Sequence, residues 1–490
     1  MKKTLVLLSV FFLLATMTHA QKEWTIMVFL NGDNNLESAG IKDVNEMEKI
    51  GSTDNVDIIV QFDRAKGYDK SNGDWTNTKI LHIQKDNDFN KITSPVVKEL
   101  GEVDMGSYRE AIRFFNWTVD NYPAKRYMFV YWNHGAGWLK ENTQPEALVK
   151  GISYDDESGN HIDSVGMKQI AEGMYTKLGR KMDIVAFDAC LMGMIEIAAQ
   201  QSDYIKYMIA SEETEPGDGW PYTPILKAVT SNPSISSSSF TKRIVEEYMA
   251  SYKTTSSWYG PPAITQSSVD LSKTDAVVNA VDQLSAVLYQ NMDTEGETVA
   301  HAMSNAQKYE YDFYKDLYNF CELLAAKTSN REVKAKSANV MRAVKSAVIM
   351  SKYQGTKMKD SHGIAIYAPQ KNQYKSHYVK TEFAKNTGWD EMLNRYYKSN
   401  SYANSSDETV SEGSENSTVE TVIGIIGALI DIFGKNMPEA EKYAEIDALA
   451  ANAAKLITFN RAVGENQAYE KLIQAMEEHP ELAVVLEKID

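Results

Sequence analysis

Two stretches decide how this chain reads: Tyr127-Met-Phe-Val-Tyr-Trp-Asn-His134-Gly135-Ala-Gly137-Trp138 and Asp183-Ile-Val-Ala-Phe-Asp188-Ala-Cys190-Leu-Met-Gly193. In each, a short apolar run leads straight into a reactive residue with a glycine within three residues after it. Runs of this kind read as strands buried on both faces, the signature of a parallel sheet. Outward from them, Ile26–Leu30, Ile58–Phe62, Ile80–Ile83 and Met208–Ala210 repeat the strand pattern. Helical spacing separates these runs. Ser107–Asn121 carries Ile112, Phe115 and Val119 on one side, and Asp163–Leu178 opens with an N-cap aspartate and carries Val165, Ile170 and Met174. Met194–Gln201 reads as a further helix. Strands alternating with helices predict an α/β fold with a mostly parallel sheet covered on both faces.

The remainder of the chain is more helical. Thr274–Tyr289, Asp312–Lys327 and Val333–Lys352 carry helical periodicity, and Gly363–Tyr367 reads as a late strand that rejoins the sheet. We therefore take residues 21–398 as one α/β domain. Residues 399–421 are rich in Ser, Asn, Thr and Gly, carry five acids and no base, and read as a flexible linker. Residues 422–490 contain the short apolar stretch Val422–Phe433 and the amphipathic stretches Ala440–Leu456 and Ala468–Met476, which predict a small helical module. Residues 1–20 have the form of a signal peptide: Lys2 and Lys3, an apolar run from Leu5 to Ala15, and Thr18-His19-Ala20 before a cut at Gln21. The chain is thus expected to be exported, to periplasm or medium, with no membrane span once the signal is gone.

Composition sets limits on function. The 490 residues are 43% hydrophobic and 24% charged, as in a soluble globular protein. The formal charge is -16, and loss of Lys2 and Lys3 leaves 49 basic against 67 acidic side chains, or -18. That balance argues against nucleic-acid or anionic-membrane binding and is compatible with a cationic substrate, although many secreted proteins are simply acidic. Two distant cysteines, Cys190 and Cys321, do not make a disulfide scaffold. Cys321 lies among Phe320, Leu323 and Leu324 on an apolar helix face and reads as core.

The carboxyl ends of parallel strands line the functional crevice of an α/β sheet. His134 and Cys190 both stand at such ends, so the sequence proposes them side by side. A thiolate attacks, and a neighbouring imidazole takes its proton. Gly135 lacks a side chain, so its N–H can approach an oxyanion together with the N–H of Cys190. Asp188 shares the strand face of Cys190. Asp218 lies in the Gly/Pro loop Glu212-Glu-Thr-Glu-Pro-Gly-Asp218-Gly-Trp220-Pro221. Two carboxylates at a pocket floor favour Arg or Lys.

As a set, Asn133-His134-Gly135, Phe187-Asp188-Ala189-Cys190-Leu191-Met192-Gly193 and Ala210-Ser211-Glu212-Glu213 with Gly217-Asp218-Gly219-Trp220 resemble the clostripain-like (C11) cysteine peptidases. The resemblance runs from about Trp24 to the strand near Gly363. It implies a caspase-like sheet, a His134–Cys190 dyad, cleavage of protein or peptide substrates after Arg or Lys with Asp188 and Asp218 lining the P1 pocket, and self-cleavage between the catalytic strands. The polar segment Leu139–Asn160 has only Lys140 and Lys150 as basic residues. Lys150 precedes Gly151-Ile-Ser-Tyr154-Asp155-Asp156, which resembles the family's segment after its processing point. The expected product is a monomer of two chains, about 21–150 and 151–490. No cofactor is required on this reading. Some family members need calcium, and Asp155, Asp156 and Glu157 offer hard oxygen ligands, but the sequence assigns no metal. The rival reading is a catalytically silent secreted binding protein on the same scaffold. No acid pair has a better strand-end setting than the dyad, which disfavours a carboxylate-pair glycosidase.

Overall fold

The computed structural model describes residues 21–138, 151–253 and 262–400, the helix Gln467–Met476 and scattered positions between 426 and 483. The signal segment, Lys140, Lys150, nearly all of the linker and most of the C-terminal module lie outside the described residues.

Thirteen strands are described. In chain order they are β1 (Lys22–Gly32), β2 (Val56–Arg64), β3 (Thr78–His82), β4 (Val96–Gly101), β5 (Ala124–Trp132), β6 (Ile152–Asp155) and β7 (Asn160–Ile162), then β8 (Met182–Asp188), β9 (Ile205–Ala210), β10 (Ile264–Asp270), β11 (Tyr314–Asp316), β12 (Val348–Gln354) and β13 (Ala365–Tyr367). Nine of them form one sheet in the order β12-β10-β9-β8-β5-β1-β2-β3-β4. Its central pairs, β9-β8-β5-β1-β2, are parallel. Antiparallel strands close both edges. The sheet is thus mostly parallel in its core, as expected, and helices cover both faces.

Alternation along β1 shows how the sheet holds its two layers. Met27 and Phe29 enter one apolar core with the helices Tyr108–Asn121 and Ser164–Leu178. Ile26, Val28 and Leu30 enter the other with the helices Glu37–Glu48 and Ser237–Ser251. A strand buried on both faces needs no polar alternation, which explains the unbroken apolar run. Phe29 is fully buried between Phe114 and Phe129, so truncating it to Ala costs about 3–5 kcal/mol. The predicted N-cap is present: the Asp163 side chain accepts the Gly166 N–H at 2.8 Å.

Three expectations need correction. The helix predicted over Val333–Lys352 ends at Ala347, and the chain passes directly into β12, which pairs with β10. The β-branched Val348 and Ile349 favour that extended continuation. Strand β12 therefore rejoins the sheet, whereas the Gly363–Tyr367 segment does not. Its strand, β13, pairs with β11 in a separate ribbon. The helix predicted from Asp312 starts at Leu317, because Asp316 caps it by accepting the Asn319 N–H at 2.6 Å.

Candidate active site

The chain moves from β1 to β2 on one side and later places β5 on the other. This makes a switch point, where the carboxyl ends of adjacent strands open a crevice. In the β5/β8 register Trp132 stands opposite Asp188, and the Asn133 N–H donates to the Asp188 carbonyl at 3.3 Å. His134 and Cys190 each follow two residues beyond that pair. A Cβ on Gly135 would stand 2.4 Å from the Cys190 carbonyl oxygen and 3.2 Å from its nitrogen, so only glycine allows the two strand ends to approach this closely.

The His134 ring is half-buried, and its Nε2 lies 2.7 Å from Asn35 Oδ1 in the loop after β1. Burial pushes its pKa below the ordinary value, against the pull of the Asp156 carboxylate, so the ring is neutral at pH 7. A neutral ring that donates from Nε2 carries its lone pair on Nδ1. Sequence reasoning could not name an orienting group for His134. Asn35 is contributed by a different strand end and carried no local signal.

Cys190 is also half-buried. Its Sγ accepts the Glu215 N–H at 3.2 Å. Burial pushes the thiol up to about 12, and the carboxylates of Glu215, Glu213 and Asp188 add to the rise. The group rests as a protonated thiol. Leu191 follows at φ 64, in the left-handed region, which costs a branched side chain about 1 kcal/mol or more. Its N–H bond to the Glu213 carbonyl at 3.2 Å and its buried side chain hold that turn. At Gly193 a Cβ would meet the backbone of Ser211 and Glu212 at 2.9 Å, which accounts for the glycine of the motif.

Beside Cys190 lies a group of carboxyls. Asp188 is buried and accepts the Tyr222 hydroxyl at 2.9 Å. Gly219 covers it: a Cβ there would stand 3.3 Å from Asp188 Oδ1 and 3.5 Å from Asp43 Oδ2. Asp43 accepts the Trp132 Nε1–H at 2.7 Å. Glu215 accepts Gln266 Nε2 at 3.0 Å, while its other oxygen is buried without a hydrogen-bond partner. Burial raises all three, Asp188 to about 7 and Asp43 and Glu215 well above the usual range, and Asp188 adds to the rise in both others. Asp218 stands apart from this group. Its exposed side chain pairs with Lys42 Nζ at 2.6 Å. The structure therefore joins Asp188 to Asp43 and Glu215, neither of which sequence reasoning selected. Glu215 lay within the quoted acidic loop, whereas Asp43 belonged to no motif. Glu212 has a structural role, accepting the Tyr309 hydroxyl and the Gly363 N–H.

The expected processing point borders the same crevice. Lys150 lies outside the described residues, but Gly151 accepts the Ala136 N–H at 3.0 Å, and Ile152 bridges to Gly135. Gly151 is buried at φ 130, and a Cβ there would stand 2.3 Å from the Ile162 carbonyl oxygen. Asp156 accepts the Tyr68 hydroxyl at 3.0 Å. Cys321 is fully buried on its helix, as read from the sequence. No helix among the described residues is long and apolar enough to cross a membrane.

Clostripain from Hathewaya histolytica is 25% identical over 424 residues, covering 73% of this chain and 77% of that protein. A secreted C11 cysteine protease from Bacteroides thetaiotaomicron, solved with an irreversible peptide inhibitor, superposes with a TM-score of 0.57. It is 20% identical and covers 75% of this chain and 99% of its own. An inactive zymogen C11 protease from Parabacteroides distasonis gives 0.55 at 17% identity, covering 75% and 98%. The model of the clostripain family matches residues 28–396. With that span of the chain matched, the protein belongs to the clostripain family, the C11 cysteine peptidases.

Proposed function

We propose that the chain is an exported endopeptidase that cleaves after Arg or Lys through Cys190 and His134. The observation that carries this reading is the pairing of two strand ends with a buried group of carboxyls. Gly135 packs on the Cys190 backbone, and Asp188, Asp43 and Glu215 gather beside the thiol. Buried carboxylates without a cation are costly, and an entering guanidinium or ammonium relieves that cost. Asp218 with Lys42 stands at the rim, where a basic side chain can exchange with the lysine.

In the reaction, neutral His134 takes the Cys190 proton as Sγ attacks the carbonyl. The N–H groups of Gly135 and Cys190 hold the negative oxygen. The protonated imidazole then donates to the leaving amine, and water hydrolyses the thioester. A protonated resting thiol suits an uncut chain. Self-cleavage after Lys150 is favoured by the position of Gly151, whose carbonyl accepts the Ala136 N–H and whose neighbour Ile152 bridges to Gly135.

The test is the intact mass and N-terminal sequence of purified wild type beside Cys190→Ala, with hydrolysis of Arg- and Lys-peptides. A break after Lys150 in the wild type alone, with hydrolysis of either peptide, is the expected result. An unbroken wild type that hydrolyses neither peptide and resists alkylation at Cys190 would identify the silent binding protein instead.

A further inference from the structure

Beyond His134 the crevice continues into a groove that the reaction above does not use. Asn35, whose Oδ1 holds the His134 ring, stands just before the helix Glu37–Glu48. One face of that helix, Ser38, Ile41, Lys42, Asn45 and Glu46, with Lys49 just past its end, floors a groove of about 410 Å³. Residues at that spacing form a single helical stripe. At 1.5 Å per residue the stripe from Ser38 to Lys49 is roughly 16 Å long, enough for about five residues of extended chain. Lys42 also belongs to the rim of the carboxyl pocket, where it pairs with Asp218. The groove thus starts at the crevice, beside Asn35 and at Lys42, and runs away from it.

The facing wall is built from Asp69, Ser71 and Asn72, together with Phe89. A fully buried ion pair holds it in place. Arg64 Nε donates to Glu37 Oε1 at 2.6 Å, and the guanidinium also donates to the carbonyls of Asp69 and Ser71 at 2.8 and 3.1 Å. Glu37 Oε2 accepts the Asp69 N–H at 2.7 Å. Asn72 Oδ1 accepts the Ile92 N–H at 2.7 Å, which ties the Phe89 segment to the same wall. A groove with fixed walls loses little conformational freedom when it is filled. Phe89 is 54% exposed, even with Lys49 Nζ 4.5 Å from its ring centroid. Asn45 Nδ2 donates to the Ile41 carbonyl at 2.8 Å, while its Oδ1 is buried without a hydrogen-bond partner among the described residues. Lys42 and Lys49 are balanced by Glu46 and Asp69, so the lining favours neither a polyanion nor a strongly basic chain.

We propose that this groove binds the substrate chain on the leaving side of the scissile bond, with an apolar side chain five or six residues after the cut seated on Phe89. The proposal rests on the reading above, in which His134 donates to the leaving amine. The chain attached to that nitrogen passes Asn35 and enters the groove at Ser38. An extended peptide matches the lining: its N–H groups can supply the donor that Asn45 Oδ1 lacks, and an apolar side chain covers an aromatic ring otherwise left in water. A peptide that ends two residues after the cut does not reach Phe89, so the groove selects for length as well as for sequence.

The test compares two internally quenched peptides with Arg or Lys before the scissile bond. One ends two residues after it; the other continues for eight, with Leu at the fifth and sixth. The longer peptide is expected to show a kcat/KM about tenfold higher, through KM, as follows from covering an exposed aromatic side chain. Phe89→Ala is expected to abolish that gain and leave the short peptide unchanged, and Phe89→Leu to retain most of it. The long peptide, carrying a fluorophore, is also titrated by anisotropy against the full Cys190→Ala chain, where Phe89→Ala is expected to weaken binding about tenfold. Equal kinetics on the two peptides, or a gain that survives Phe89→Ala, would overturn the proposal. A wild type that cleaves neither peptide would refute the activity instead. The anisotropy then decides the groove: binding that needs Phe89 upholds it, and binding indifferent to Phe89 removes it.

Discussion

On the proposed basic specificity, replacing Asp188 with Asn should separate stability from activity, because its carboxylate is a burden to the free protein and would be an asset to a basic substrate. Burial raises Asp188 from 3.8 to about 7, opposed by the Tyr222 hydroxyl and the Trp220 N–H. Its charged neighbours Asp43, Glu215 and Glu46 are all acids. At about 1.4 kcal/mol per pH unit, ionising it in the fold costs up to ~4 kcal/mol. A raised carboxyl means that the folded state binds the extra proton. Stability therefore falls as pH rises from about 4 to about 7 and then levels. In a Cys190→Ala background, Asp188→Asn should raise the melting temperature at pH 8 by up to about 5 °C and change it little at pH 4. In the active enzyme the same substitution should lower kcat/KM for Arg and Lys substrates roughly 100- to 1000-fold, as expected when a buried cation loses its partner. The wild-type kcat/KM should climb with pH through about 7, and the residual activity of the variant should lose that limb. A variant with unchanged kcat/KM, or one less stable at pH 8, would refute the reasoning.

Other outcomes are expected on the same geometry. Gly135→Ala pushes a methyl to 2.4 Å from the Cys190 carbonyl, so the strand ends must part by about 1 Å; kcat should fall about 100-fold with a stability loss of about 1–3 kcal/mol, measured by kinetics and urea melts. Asn35→Ala frees the His134 ring, and kcat should fall about tenfold with little change in KM. A small guanidinium compound that occupies the carboxyl group should speed alkylation of Cys190 at pH 8 several-fold in wild type and not in Asp188→Asn.

Much of this was legible in the sequence, for a physical reason. Strands β1, β5 and β8 are buried on both faces, so they write themselves as apolar runs, and the reactive residues at their ends follow directly. Edge strands do not announce themselves in this way. Strand β4 alternates exposed and half-exposed positions, and β12 continues from a helix with no breaking residue between Ala347 and Val348. The site divides along the same line. His134, Cys190, Gly135 and Asp188 belong to two contiguous motifs and could be read locally. Asn35 and Asp43 reach their places only because β1 and the helix after it fold back against β5, and nothing within a few residues of them records that contact. Burial also separates two acids that the sequence treats alike. Asp218 looked equal to Asp188 by its loop, yet the loop turns Gly219 inward and leaves Asp218 to Lys42.

On the proposed basic specificity, the same carboxyls would link substrate choice to thiol chemistry. Asp188 and Glu215 are among the groups that raise Cys190, while the Glu215 N–H is the group that lowers it. In the free protein the acids and the burial win, and the thiol stays protonated. A guanidinium or ammonium set among Asp188, Asp43 and Glu215 would cancel the repulsive charges without disturbing the N–H donor, so the balance at Sγ would move toward the thiolate. The side chain that fits the pocket would then also ready the nucleophile, whereas an apolar side chain would leave the thiol as it rests. On this argument basic specificity rests on reactivity as well as binding, and kcat should separate substrates that KM does not.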